Sequence, residues 1–228
     1  MDCNLIVFSS GGKIEKFCES NKIDYRKIKQ FISPRASTVS FVYSMLKILK
    51  NVIPINKENI IESIESLEKL NIQISSNNMT DSNQALKLAK EITEIPLIYY
   101  PWGLQAAAIR FKNSLQENAK THAMVEDVVE ASHNGIVAWE KKSKIFPILL
   151  QGHDDNAKTE ERWGIFKTFF DNNKINYKEI VSIKGDILSK LIHLMYLLDY
   201  TSIYKAVLSE IDPTPVKSID FIKSRLES

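Results

Sequence analysis

The chain has 228 residues, of which 44% are hydrophobic and 25% charged, with a formal net charge of +2. That length admits one domain with an extra layer or two small domains, and it is enough to bury a core. The near-balanced charge excludes the dense basic surface of a dedicated nucleic-acid binder but leaves room for an acidic small ligand. Cys3 and Cys18 stand in no CxxC or metal spacing, which fits reduced, buried or neutral thiols in a cytoplasmic protein. The N-terminus lacks the form of a signal peptide. The most apolar stretch, Leu191 to Leu198, is broken by His193 and flanked by Lys190 and Asp199, well short of the ~20 apolar residues of a membrane span. A soluble, cytoplasmic protein is expected.

Leu5 to Phe8 reads as a buried strand, followed by the turn Ser9, Ser10, Gly11, Gly12 and an amphipathic helix from Lys13 to Ser20. Tyr25 to Lys29 offers a second, weaker strand. From Pro34 to Glu94 the strand signal vanishes, and helices are predicted near Ser37 to Lys50, Lys57 to Leu70 and Ser82 to Ile92. Pro96 to Tyr100, led by Ile95, is a buried strand, and after Pro101, Trp102 and Gly103 comes a helix from Leu104 to Ala119. Phe146 to Leu150, led by Ile145, is the next strand, followed by a polar turn from Gln151 to Asp155 and a helix through Arg162 and Phe166. Tyr177 to Ile183 is the last strand before a helical segment from Ile187 to Glu210. Strands alternating with helices imply an α/β fold with a mainly parallel sheet. The first lobe, with one or two strands, is too thin to cover a core, so something else must pair with it.

On the helix from Leu104 to Ala119, Leu104, Ala107, Ala108, Phe111 and Leu115 form the core-facing stripe. Glu117 lies off it, and Arg110, two turns earlier, shares its face, so both are expected to look toward solvent, a cleft or a partner. A carboxylate near a helix C-terminus meets the negative end of the dipole, which favours its protonated form. His133 sits in the polar turn Ser132 to Gly135, where an imidazole can exchange a proton near neutral pH. Taken singly, each is more simply an exposed surface residue. His153, Asp154 and Asp155 lack a second ligand cluster and read as solvated loop residues rather than a metal site; His122 suggests nothing specific, and His193 reads as a core residue.

In combination, Arg110, Lys112, Leu115, Glu117, Asn118, Ala119 and Lys120, then His133, Asn134, Ile136, Trp139 and Glu140, resemble the bifunctional phosphoglucose/phosphomannose isomerases of the sugar isomerase (SIS) superfamily. A second block, Asp199, Ser202, Tyr204, Asp212 to Val216, Ile219 and Lys223, resembles the C-terminal pattern of the same family. Two separated blocks with matching spacing are harder to obtain by chance than one short motif. The resemblance implies an SIS-type parallel sheet flanked by helices: residues 1–55 as the C-terminal part of a first lobe, 56–92 as a helical connection, and 93–228 as a second lobe with C-terminal helices. It also implies interconversion of glucose 6-phosphate or mannose 6-phosphate with fructose 6-phosphate through a cis-enediolate, without a cofactor or metal.

The resemblance implies Glu117 as the base that moves the C2 proton, His133 as the ring-opening acid or base, reaching a neighbouring subunit of a homodimer, and Lys223 as a further ring-opening group. Arg35, in the Pro34-Arg35-Ala36 step, is implied to stabilise enediolate charge, with Asn134 and Thr214 touching the sugar. Two positions depart from the pattern: Gly135 stands where members usually carry Glu, and Ala138 where they usually carry Gly. The Ser- and Thr-rich phosphate loop of the family has no counterpart. Ser9 to Gly12 could bind phosphate at a helix N-terminus, yet by position they match a later turn of the first lobe. A shortened gene or a separately encoded N-terminal half would account for the missing strands. The alternative reading is a non-catalytic phosphosugar-binding or interaction protein derived from such an isomerase.

Overall fold

The computed structural model describes residues 5–226, so Cys3 lies outside the described residues. The chain separates into two compact units between Glu58 and Asn59.

The first unit contains β1 (Ile6–Ser9), α1 (Lys13–Asn21), β2 (Asp24–Lys27), a 3₁₀ turn (Pro34–Ser37) and α2 (Thr38–Leu49). β1 and β2 run parallel, with Ile6 opposite Asp24 and Ser9 opposite Lys27. The turn between β1 and α1 depends on Gly11 and Gly12, both at positive φ, a conformation open to glycine at low cost. Every residue of β1 is only half-buried, as expected when one of its two edges carries no neighbour.

The second unit holds α3 (Lys57–Ile74), α4 (Gln84–Glu91), β3 (Ile95–Tyr100), α5 (Gln105–Asn118), β4 (Met124–Asp127), α6 (Val128–Ala131), a 3₁₀ segment (Gly135–Glu140), β5 (Ile145–Gln151), α7 (Ala157–Asn172), β6 (Lys178–Val181), α8 (Ile187–Leu208) and α9 (Lys217–Leu226). Its four strands are all parallel in the order β4-β3-β5-β6. The two central strands are nearly continuous apolar runs because both their faces are covered. Ile98, Tyr100, Ile148 and Leu150 point to the face packed by α3, α4, α5 and α8. Tyr99 and Leu149 point to the other, where Trp139, Trp163, Phe166 and Phe170 gather. The segment 56–92 thus contributes Leu70, Ile74, Leu86 and Leu88 to the core of the second unit.

The predicted stripe on α5 is buried at Leu104, Ala107, Ala108, Phe111 and Leu115. Arg110 lies off that stripe and packs against α8: its Nε donates to Asp199 Oδ1 at 3.1 Å and its Nη2 to Oδ2 at 2.7 Å. Ser114 Oγ donates to the same carboxylate at 2.6 Å, and Asn118 Nδ2 donates to Ser202 Oγ at 2.8 Å. These contacts follow from small residues on α5 letting α8 approach closely enough for short polar side chains to meet.

The two units share a repeat. Phe17, Asn21, Lys22, Ile23, Tyr25 and Ile28 match Phe169, Asn173, Lys174, Ile175, Tyr177 and Ile180 at constant spacing. Lys22 and Lys174 both adopt φ 55°. Asn21 Nδ2 donates to the Phe17 carbonyl and Asn173 Nδ2 to the Phe169 carbonyl, each at 2.8 Å. The β1-α1-β2 unit therefore repeats β5-α7-β6. In the second unit β5 also pairs with β3; among the described residues no strand pairs with the corresponding edge of β1.

Candidate active site

In a parallel α/β sheet, side chains that meet ligands gather at strand ends and in the loops that follow them. The candidates of the second unit fall into two groups there. α5 starts beyond the carboxyl end of β3 and runs back, so Glu117, one residue from its C-terminus, lies by the amino ends of the strands. β4 then returns to the carboxyl edge, where α6 and the His133 turn follow.

The Glu117 group is built from the end of α5 and the segment after α8. Lys120, at φ 53°, turns the chain so that its Nζ donates to the Glu117 carbonyl and, at 2.8 Å, to the Pro215 carbonyl. That pins the Asp212-Pro213-Thr214-Pro215 turn against the end of α5. Within the turn the Asp212 carboxylate accepts from the Thr214 backbone N–H at 2.8 Å. The hydrogen bonds from Thr214, with Lys120 nearby, hold Asp212 below the usual carboxylate range. Lys120 thus ties the turn that carries Thr214 to the end of α5 that carries Glu117. Lys223 lies exposed on α9, a helix with no buried residue.

The His133 group lies on the opposite face. Asp127 caps α6, accepting from Val129 N–H at 2.8 Å, and the His133 N–H donates to the Glu130 carbonyl at 3.0 Å. Asn134 Nδ2 donates to Glu130 Oε1 at 2.7 Å, fixing the turn from its own side. Trp139 anchors the following 3₁₀ segment by donating from Nε1 to Tyr99 Oη at 2.7 Å. Both imidazole and Asn134 side chain face solvent. In one chain, then, Glu117 and His133 are on different faces and at different ends of the sheet. Arg35 belongs to the first unit, where its carbonyl accepts from Thr38 Oγ1 at 3.2 Å.

One recess, of about 990 Å³, is lined by Glu94, Ser143, Ile145, Lys174 and Lys178 among others. It contains none of the candidate residues, and its acids and lysines are mixed, so size alone does not mark the site. A groove of about 550 Å³ beside the His133 turn is lined by Ser132, Ile136, Lys158, Arg162, Phe166 and Phe169. The His153 loop is committed to structure: Asp154 pairs with Lys190, and Asp155 accepts from the Gly152 N–H and from Trp163 Nε1, each at 2.9 Å. Among the described residues no group of three or more His, Cys, Asp or Glu is arranged to hold a metal. Nor is any helix long and apolar enough to cross a membrane.

Sequence reasoning passed over Glu126. It stands on β4 directly across from Tyr99, half-buried beneath the His133 turn, and burial first, then repulsion from Glu130, pushes its carboxyl up from the ordinary range. β4 itself gave no strand signal because its four residues, Met-Val-Glu-Asp, are half polar and form an edge.

The four-stranded parallel sheet flanked by helices is that of an SIS-type domain. Residues 81–226 match the model of the bacterial phospho-glucose isomerase C-terminal SIS domain. The chain is 30% identical over 230 residues to a bifunctional phosphoglucose/phosphomannose isomerase of Caldicellulosiruptor bescii, covering 97% of this chain and 68% of that protein. A protein of the same name from Aquifex aeolicus is 25% identical, with 97% and 67% covered. Among solved structures, a glucose-6-phosphate isomerase like protein from Thermus thermophilus has TM-score 0.68 at 14% identity, covering 91% of this chain and 73% of that one. Tagatose-6-phosphate ketose/aldose isomerase from Escherichia coli has the same TM-score, 0.68, at 10% identity, with 92% and 61% covered. The chain belongs to the bacterial phospho-glucose isomerase family and carries its C-terminal SIS domain. It spans about two thirds of the length of the curated relatives it matches.

Proposed function

We propose that the protein is an aldose-ketose isomerase that interconverts glucose 6-phosphate, and mannose 6-phosphate, with fructose 6-phosphate. The observation that carries this reading is the placement of Glu117 at the end of a helix that Asp199 and Ser202 lock in position, beside the Thr214 turn. There a carboxylate takes the C2 proton of the open-chain aldose and returns it to C1 of the enediolate, one group serving as base and then acid. Arg35 balances the enediolate charge, while Asn134 and Thr214 hold sugar hydroxyls. His133 and Lys223 carry the ring-opening proton transfers. The chemistry needs no cofactor.

A single chain keeps Glu117 and His133 at different ends of one sheet, so the working form is a homodimer in which a second copy supplies His133. Further strands seat on the open edge of β1, supplied by a companion segment in the same polypeptide or a separate chain, and bring the substrate phosphate loop with them. A metabolic role of this kind fits the cytoplasm. The test is a coupled assay of fructose 6-phosphate formation from each aldose, run on the chain together with its companion segment, with and without Glu117→Gln. Turnover in the parent with a loss of about 10²-fold or more in the variant is expected from removing a general base. A parent without turnover, or a variant equal to it, contradicts the proposal and favours a binding role.

A further inference from the structure

Gly135 is a glycine for space rather than for backbone freedom. It is not among the glycines with positive φ, so an ordinary residue would fit its backbone. A Cβ placed on it, however, would lie 2.7 Å from the carboxyl carbon of Glu126 and closer still to both carboxyl oxygens. The carboxyl of Glu126 thus lies directly against Gly135, and as the far end of a flexible side chain it must swing aside if position 135 carries a Cβ. The next position back is Asn134 and the one before that His133, whose turn closes directly over this carboxyl.

Glu126 is also poorly provided for. Its ladder neighbour Tyr99 accepts from Trp139 Nε1 through its hydroxyl oxygen, and no hydrogen bond or ion pair to Glu126 is found among the described residues. The charged group acting on it is Glu130 on α6; Lys158, Glu161 and Arg162 on α7 line the groove beside Ser132 and Ile136 of the same turn. Lys158 is paired with Glu161, and Glu130 repels rather than relieves Glu126. A half-buried carboxyl kept without a compensating partner is a cost to folding, and such costs collect at functional positions. The first amide groups of the 3₁₀ segment, Gly135 and Ile136, lie immediately above, and the segment has no side-chain cap.

We propose that Glu126 is the positioning carboxylate of the His133 turn and that Gly135 is its matched partner, the two together replacing the acidic side chain expected at position 135. Glu126 reaches from the strand beneath to the place that a side chain at 135 would reach from above. It acts through the backbone of Asn134 to Ile136 and so sets the direction of the His133 imidazole. The activity arm of the test rests on the isomerase reading; the first arm does not.

The first arm uses the full chain without substrate and follows the backbone amide signals of Asn134, Gly135 and Ile136 by NMR during a pH titration. They are expected to shift with a carboxyl that titrates above the ordinary glutamate range, a step absent in Glu126→Gln and moved down to the ordinary range in Gly135→Ala, whose methyl pushes the carboxyl into water. Amides that titrate alike in the parent and in Glu126→Gln overturn the proposal. The second arm measures kcat, KM and melting temperature. Glu126→Gln is expected to lower kcat about 10- to 100-fold with KM little changed, while its melting temperature stays or rises because a charge no longer has to be buried. The double variant with Gly135→Ala is expected to lose no more than either single. Equal kcat in parent and variant, losses that multiply, or a melting temperature that falls along with kcat would assign Glu126 a packing role and overturn the proposal. A parent inactive as an isomerase would count against the proposed function, and the amide titration would then decide this inference by itself.

Discussion

Asp199 is the residue on which the position of Glu117 depends most directly. Its carboxylate accepts from Arg110 Nε at 3.1 Å, Arg110 Nη2 at 2.7 Å and Ser114 Oγ at 2.6 Å, tying α8 to the helix that carries Glu117. The side chains are 19% and 33% exposed for Arg110 and Asp199, so the pair is screened in part and the low end of a charge-assisted bond applies, about 2 kcal/mol. Asp199→Asn keeps the shape and an oxygen for Ser114 but leaves the guanidinium without its counter-charge. For a chain of this size, about 2 kcal/mol corresponds to a fall of roughly 4–8 °C in melting temperature. Thermal unfolding followed by circular dichroism measures it, together with Arg110→Ala and the double variant. The double variant is expected to lose less than the sum of the two singles, because each single already breaks the pair. A fall below about 1 °C for Asp199→Asn, or strictly additive losses, would refute the view that this contact fixes α5 against α8.

Phe170 touches Phe166, Trp139 and Tyr177 at ring-centroid distances of 5.8, 5.3 and 5.6 Å, so Phe170→Ala is expected to cost about 3–5 kcal/mol in chemical denaturation; a loss under about 1 kcal/mol would mean the site collapses around the smaller side chain. His193 is half-buried on α8 with Nδ1 unpartnered, and burial holds its pKa below the ordinary value. The folded state thus binds its proton less readily than the unfolded chain: its contribution is full above the ordinary imidazole value of about 6.5 and is lost as pH falls toward the lowered folded value. His193→Leu should flatten that decline in stability below neutral pH, and an unchanged acid limb would contradict the assignment. The Ile28 amide donates to the Ser9 carbonyl at 2.9 Å and the Ser182 amide to the Gln151 carbonyl at 2.8 Å, yet the first belongs to a two-stranded sheet and the second to a four-stranded one. Hydrogen exchange at Ile28 is expected to be roughly 100-fold faster or more; equal protection would show that the first unit is stable as it stands.

The long apolar signals carried the fold well. β3 and β5 are readable because a strand covered on both faces becomes a continuous apolar run, and α5 because its stripe repeats at helical spacing. β4 was illegible for the converse reason, being a short edge strand with two acids. For Arg110, helical periodicity says which face the residue occupies but not that a second helix covers that face with a carboxylate. Glu117, His133, Asn134, Thr214, Lys223 and Arg35 entered through resemblance, and no periodicity could have singled them out. Glu126 had a signal of its own in Gly135, a glycine outside any turn that needs one, but only the side chain filling its empty volume gives that signal meaning. The repeat of Phe17 to Ile28 in Phe169 to Ile180 was present in the sequence and explains why the first lobe looks like half of the second.

The central claim is that Glu117 moves a proton between C2 and C1 of a hexose 6-phosphate. Incubating the protein with fructose 6-phosphate in D2O and reading deuterium at C2 of the aldose product by NMR tests it most directly. Label entering C2 as the aldose forms, with both label and product slowed about 10²-fold or more in Glu117→Gln, is the predicted result. Aldose formed at the same rate in parent and variant would contradict the account, whatever share of the carried proton exchanges with solvent before its return.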